Sequence, residues 1–285
     1  MNILWQRNLK MFFRDKMAVF YSLFSVLIIV LLYALFLGDQ LIAGLDGAPY
    51  GDVLIITWLT AGLVSVGGIS AAIQGMGQIV EDRVKKIDKC FRVAPISRGY
   101  LVRGYMASSV VISFMMPMIT FVGMSVYLYA ISGSLFTLAQ LAQIVAITVL
   151  SAVASTAILY LMVSSMKSNR AFSTGASLLA TLSGFIMGVY IPVGFLPSVA
   201  QSVVMLFPPS HVTVLLRQIM MQQAKELAFA NAPESYLQAF NADMGVTLML
   251  GGWEVTWVAS VGYLVLATLV CYGLSVYLTS QKSNP

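Results

Sequence analysis

Residues 104–166 read GYMASSVVISFMMPMITFVGMSVYLYAISGSLFTLAQLAQIVAITVLSAVASTAILYLMVSSM, a run of 63 residues without one Asp, Glu, Lys or Arg. Residues 171–216 add 46 more. A soluble fold needs charge on nearly every helix. A bilayer excludes it, at about 2.5–3.5 kcal/mol per charged residue at mid-depth. The rest of the chain agrees: 59% of its residues are hydrophobic and 9% charged, where a soluble domain carries about 25% charged residues. The fold class that follows is an all-α integral membrane protein.

A helix needs about 20 apolar residues to cross about 30 Å of hydrocarbon. On that measure six spans are expected, at about 17–37, 53–79, 104–131, 139–166, 171–191 and 255–278. Asp39, Gln40 and the turn residues at 46–49 are expected to end the first. Ser132-Gly133-Ser134 separates the third and fourth, and Lys167 closes the fourth. The first apolar run has 21 residues, longer than the roughly 7–15 of a signal-peptide core, so it reads as a retained helix.

Lys and Arg fix the orientation. Four lie before the first span, seven at 83–103, two at Lys167 and Arg170, and one at Lys282. With six spans these all share one side. The other side holds only Arg217 and Lys225, with seven acids. By the positive-inside rule both termini are cytoplasmic and the chain is a multi-pass protein of the plasma membrane. Tyr127, Tyr129, Tyr190, Trp253 and Trp257 cluster at the expected outer ends, where amphipathic rings prefer the interface. The net charge of +5 therefore belongs to span ends, and nucleic acid is not an expected partner. Cys90 and Cys271 give no disulfide framework.

Three segments are not simple spans. In residues 1–16, Trp5, Leu9 and Phe12 share one face while Arg7, Lys10 and Arg14 share another. This predicts an amphipathic helix on the cytoplasmic membrane surface. Residues 81–103 read EDRVKKIDKCFRVAPISRGYLVR. Val84, Ile87, Phe91 and Ala94 recur at helical spacing, and Pro95 stops the helix. A charged helix over 81–95 suits docking onto a soluble partner or serves only to set topology. Residues 192–254 form a long outer segment. Its apolar run at 198–207 is too short to span. Pro197 precedes that run, Pro208-Pro209 breaks it, and Ser210 can cap a second helix. Two short helices around a Pro-Pro turn predict a hairpin that dips into the membrane under the shelter of protein. Beyond it, about 218–252 is an outer extension, partly helical around 222–230.

The chemistry-bearing motifs are few. There is no GxxxxGK[ST] phosphate loop. The single histidine, His211, cannot build a metal site and is expected to cap or line an interface. No catalytic set is suggested. No charged residue falls inside an expected span, which argues against a channel or ion-driven transporter. A non-transporting immunity protein stays open. What remains is packing: Gly67, Ala71 and Gly75 in the second span and Ala176, Ala180, Gly184 and Gly188 in the fifth repeat every four residues. Small residues at that spacing let backbones approach, for ordinary packing or for a face that seals a pathway.

Taken in order, these segments resemble the permease subunits of type-2 ATP-binding-cassette exporters. The amphipathic leader comes first. The charged helix ending in APISRGYLVRG lies between spans two and three. The GVYIPVGFLP…PPS…LLRQ stretch lies between spans five and six. The resemblance covers nearly the whole chain and implies the following. Two permease copies pair around a pathway lined by spans two and five. Two ATPase subunits bind below and carry the ATP and Mg, so this chain needs no cofactor and is not itself catalytic. The leader is a connecting helix. The helix at 81–95 is a coupling helix seated in the ATPase, with Glu81, Asp82, Arg83, Lys85, Lys86, Ile87, Asp88, Lys89, Phe91, Arg92, Pro95 and Arg98 at the contact. Pro192, Phe195, Pro197, Phe207, Pro208 and Pro209 belong to an outer gate. The cargo is an amphiphile: a drug, a lipid-like molecule or an antimicrobial peptide. Many relatives carry a glycine-threonine-glutamate-like stretch where this chain reads Val84-Lys85-Lys86-Ile87-Asp88, and the extension after Arg217 is long.

Overall fold

The computed structural model describes residues 2–44, 49–87, 90–91, 98–133, 135–166, 168–250 and 253–281. Its helices in chain order are α1 (Asn2–Arg14), α2 (Lys16–Leu32), α3 (Gly38–Ala43), α4 (Gly51–Val84), α5 (Arg98–Ser132), α6 (Leu138–Ser165), α7 (Asn169–Ile186), α8 (Ser198–Leu206), α9 (Pro208–Met220), α10 (Gln222–Ala228), α11 (Glu234–Asp243) and α12 (Trp257–Gln281). A two-residue ladder of β1 (Met249–Leu250) and β2 (Trp253–Glu254) precedes α12, pairing Met249 with Glu254 and Leu250 with Trp253.

Among the described residues, five helices are long and apolar enough to cross a membrane: Val19–Leu37, Gly51–Val84, Gly99–Ser132, Leu138–Ser165 and Trp257–Tyr277. A sixth is supplied if α8 and α9, bent 91° to each other, count as one span. α7, the expected fifth span, is not among the five. It ends at Ile186 rather than running to 191, because Gly188 adopts φ +63° and turns the chain out of the helix. Its 18 residues reach about 27 Å, just short of the hydrocarbon thickness.

α4 is the centre of the bundle. It is 83% buried over its apolar window, whereas α2 and α12 are 24% and 17% buried, so those two present most of their surface outward. α4 packs against α5, α6, α7, α9 and α2. Its 34 residues span about 51 Å, longer than the bilayer core. The residues expected to end the first span do not end its helix. Asp39 and Gln40 continue as α3 after one π-helical turn at Tyr33–Leu37. A polar residue ends burial in lipid, not the backbone hydrogen-bond ladder. Gly38 makes the turn possible, since a Cβ there would lie 2.7 Å from the Tyr33 carbonyl oxygen.

Pro117 sits inside α5 and removes the amide that would bond to the Ser113 carbonyl. Gly67 and Gly68 of α4 face this point, with their Cβ positions 3.8–3.9 Å from the proline ring. α6 begins with a capping box in which Thr137 Oγ1 accepts from the Gln140 amide and Gln140 Oε1 accepts from the Thr137 amide. Of the expected turns, Gly133 is in the left-handed region. Residues 46–48, Ser134, Lys167 and Lys282 lie outside the described residues.

Candidate functional site: the two ends of the central helix

One end of the bundle is built around Asp82, in the last turn of α4. Its side chain is 1% exposed. The Arg7 guanidinium of α1 donates to both carboxylate oxygens, at 2.9 and 3.2 Å, a two-pronged geometry that fixes orientation as well as charge. The Tyr105 hydroxyl of α5 donates to the same carboxylate, as does Gln78 Nε2 at 3.3 Å. Asn8 Nδ2 donates to Ser108 Oγ at 3.3 Å. Leu4 lies against Gly104, where a Cβ would be 2.6 Å from Leu4 Cδ2. Three helices are thus tied at one point: the leader, the end of the second span and the start of the third. The bond to Asp82 holds the Arg7 guanidinium even more firmly protonated than usual.

This rearranges several expectations. α1 is helical, and its buried stripe is Leu4, Asn8 and Phe12 rather than Trp5, Leu9 and Phe12. Arg7 turns inward, and Lys10 and Arg14 remain exposed. Asp82, expected at the ATPase contact, is consumed inside the chain. Glu81 and Lys85 are exposed and paired as an i, i+4 bridge, which raises the Lys85 amine above its ordinary pKa. Arg83 Nη1 donates to the Val163 carbonyl of α6 at 3.3 Å.

No separate helix starts at Glu81. Residues 81–84 are the final turn of α4, which ends at Lys85 with Lys86 in the left-handed region at φ 58°. Beyond it, Ile87 is half-buried and Phe91 lies under the Arg7 guanidinium, 5.6 Å from the ring centroid. Asp88, Lys89, Arg92, Ala94, Pro95, Ile96 and Ser97 lie outside the described residues. Arg98 is the first residue of α5.

At the other end of α4, 24 residues away or about 36 Å along the helix, Trp58 Nε1 donates to the Met244 carbonyl at 2.7 Å. Arg217 of α9 is 0% exposed and, among the described residues, pairs with no carboxylate. Its Nη2 donates to the Gly188 carbonyl at 2.7 Å, and its Nη1 to Met244 and Gly245 at 3.0 and 3.2 Å. The guanidinium lies 4.3 Å from the Trp58 ring centroid. Carbonyl dipoles and an aromatic face are what offset the cost of burying this charge. The Tyr33 hydroxyl donates to the neighbouring Val189 carbonyl at 2.7 Å.

The bent pair α8–α9 begins and breaks where its prolines place it, with one exchange of roles. Pro197 is the residue before α8, and Pro208 and Pro209 open α9. Ser210 does not cap α9; its hydroxyl donates to the Ile186 carbonyl at 3.2 Å, while Phe207 holds the cap position. His211 does cap, at the far end of α8. Its Nε2 lies 2.9 Å from the Met205 carbonyl oxygen and its Nδ1 3.2 Å from Ser260 Oγ of α12. Pro192 and Pro209 are buried, Phe207 and Pro208 half-buried, and Phe195 and Pro197 exposed.

The small-residue faces pack within the chain. Gly75 meets Ser109 of α5, whose Cα would lie 2.9 Å from an added Cβ. Gly67 meets Pro117, and Ala71 is fully buried with Phe12, Ile112 and Met116. Gly184 is covered by the Tyr190 ring, Gly188 makes the turn after α7, and Ala180 is half-buried. A cleft of about 500 Å³ between α1, α4 and α7 is lined by Phe12, Gln74, Gly77, Glu81 and Phe172 among others. Cys90 is exposed and Cys271 half-buried, both as free thiols. Among the described residues no three His, Cys, Asp or Glu side chains come together so as to hold a metal ion.

Arg7, Asn8, Tyr105, Tyr33, Trp58 and Arg217 escape the sequence reading as site residues. One signal was available: Arg217 interrupts VTVLLRQIM, an otherwise apolar helical run. The pairing of Arg7 with Asp82, 75 positions apart, has no local signature.

A long helical hub with polar knots at both ends, and with apolar helices turned outward around it, defines an all-α, multi-pass membrane protein. The model of the ABC-2 family transporter proteins matches residues 50–277, from the start of α4 into α12, and the chain belongs to that family. It is an ABC-2 type permease, and membership implies an ABC ATPase as its partner. No curated protein matches the chain.

Proposed function

We propose that this permease exports an amphiphilic molecule (a drug, a lipid-like compound or an antimicrobial peptide) using ATP, with Mg, hydrolysed by two copies of a separate ATPase subunit. A second permease copy completes the pathway. Six crossings, with α7 as the fifth and α8–α9 as a re-entrant hairpin, put both termini and residues 81–103 in the cytoplasm of a plasma-membrane protein. The observation that carries the reading is the tie of Arg7 and Tyr105 to Asp82. It joins α1, α4 and α5 where the charged segment begins, so a push on that segment moves three helices together. α4 then transmits the motion along its length to the outer end, where the hairpin sits. Exposed Glu81, Lys85 and Lys86 are left for the ATPase.

The test uses the full chain. Tagged protein extracted from its membrane in mild detergent is expected to bring down an ATPase containing a phosphate-binding loop. The double variant Lys85→Glu, Lys86→Glu is expected to insert normally, lose at least about tenfold of the co-purifying ATPase and abolish ATP-dependent transport. Wild-type transport by that variant reduces those lysines to topology signals. Recovery of the chain with no ATPase, or transport by the chain alone in proteoliposomes, sinks the exporter reading.

A further inference from the structure

The two arms of the outer hairpin are held very differently. In α9, 11 of the 13 residues are buried. In α8 only Val204 is buried, while Val199, Val203 and Leu206, on one face with Phe195 just before them, are exposed. α9 also carries Arg217, whose guanidinium grips carbonyls from two other segments: Gly188 beyond α7, and Met244 and Gly245 after α11. Trp58 of α4 lies against the same guanidinium and bonds to the same Met244 carbonyl. Gln218, the next residue of α9, donates Nε2 to the Val246 carbonyl at 3.0 Å. The bonds of α8 are few and sit at its ends. His211 takes the Met205 carbonyl, the Tyr263 hydroxyl donates to the Leu206 carbonyl at 2.6 Å, and Gln201 donates to the Leu196 carbonyl at 2.9 Å.

We infer that Arg217 is a positioning residue that locks α9, the turn after α7 and the outer extension onto α4 as one rigid body, leaving α8 alone as the moving gate. Moving α9 relative to α4 strips a buried guanidinium of its carbonyl partners, with no carboxylate to replace them. Swinging α8 exposes one valine and breaks the bonds of Gln201 to the Leu196 and Gly194 carbonyls, while the His211 and Tyr263 contacts stay in place. Regions with few buried apolar contacts are the ones that open locally at low cost. The hinge follows from the same contacts: His211 and Tyr263 hold α8 at Met205 and Leu206, so the arm swings about Phe207. The nucleotide-dependent half of this inference rests on the exporter reading; the resting-state half does not.

The test is hydrogen exchange of the full chain read by mass spectrometry, alone and with its co-purified ATPase trapped by ADP and vanadate. In the chain alone, amides of α9 are expected to exchange at least about tenfold more slowly than those of α8. Trapping is expected to change α8 and leave α9 as it was. Arg217→Lys keeps the charge but loses the fork, and is expected to speed exchange in α9 while α8 stays at its wild-type rate. Equal exchange of the two arms at rest, joint movement on trapping, or unaltered α9 in Arg217→Lys overturns the assignment. If Arg217→Lys does not fold, the wild-type comparison decides. If no ATPase co-purifies, the exporter reading falls, and the resting-state ratio still decides the role of Arg217.

Discussion

Asp82 shows how one side chain changes meaning between sequence and structure. As a letter in EDRVKK it belongs to a charged, solvated segment. In the fold it is buried and accepts from Arg7, Tyr105 and Gln78, while its neighbours Glu81 and Lys85 stay in water. The difference is helical phase: Asp82 faces α5 and α1, and Glu81, 100° away, does not. Removing one partner of a buried ion pair costs about 3–5 kcal/mol, because the other charge is left unpaired. Arg7→Ala, which strands a carboxylate that is 1% exposed, is therefore expected to lower thermal stability in detergent more than Asp82→Ala, which strands a guanidinium that is 29% exposed and can reach water. The double variant should be less destabilised than the sum of the two by about 1–3 kcal/mol. Additive effects would show that the two side chains are not coupled. The same reasoning separates the buried Arg217 from Lys10 and Arg14, which the fold leaves at the surface.

At the scale of elements, what was legible follows from local rules. Apolar length placed α2, α4, α5, α6 and α12, proline placed the ends of α8 and α9, and the residue mixture at 222–230 placed α10. What was not legible depended on contacts between segments. α1 buries Leu4, Asn8 and Phe12 because α5 offers Gly104 and Ser108 to receive them, a pairing no window of sequence contains. α7 stops at Ile186 because Gly188 takes a left-handed turn that Arg217, 29 residues on, secures from its carbonyl. Hydropathy alone carried the expected span to 191. The glycine ladder of α4 was legible as a close-packing face but not as to its partner, which is α5. Its tightest point carries a prediction. An added Cβ at Gly75 would lie 2.9 Å from backbone Cα of Ser109, and backbone cannot rotate away. Gly75→Ala is expected to push α4 from α5 and destabilise by about 1–3 kcal/mol. Gly123→Ala, in α5 with nothing of this chain within 4 Å of its Cβ, should be neutral or slightly stabilising. Thermal unfolding of both variants in one detergent checks the pair. Equal stability would mean that the two helices are free to separate there.

At the scale of the whole molecule the open quantity is parity: which segment supplies the crossing between α6 and α10. α7 is short and carries Arg170 in its first turn, while the bent pair α8–α9 is apolar enough to count as a span. The basic-residue count decides for one odd crossing between residues 103 and 225, and both choices satisfy it with α5 and α6. They differ in where the turn after α7 lies. In a Cys271→Ser background, the exposed Cys90 is expected to react with a membrane-impermeant maleimide only after cells are permeabilised. In the same background with Cys90 also replaced, Gln223→Cys on the exposed side of α10 should react in intact cells. The deciding position is Phe195, which is 66% exposed. If α7 crosses and the hairpin dips and returns, Phe195→Cys reacts from outside, together with Gln223→Cys. If α7 stays on the cytoplasmic side and α8–α9 crosses, Phe195→Cys is protected with Cys90. Should both α7 and the bent pair cross, Phe195→Cys is outside and Gln223→Cys is protected. The first pattern is expected, because Arg217, in the last turn of α9, bonds to carbonyls that both precede and follow the hairpin: Gly188 after α7, and Met244 and Gly245 after α11. A crossing pair would put Gly188, before the hairpin, and Met244, after it, on opposite faces of about 30 Å of hydrocarbon, where one guanidinium could not bond to both carbonyls as it does in this fold.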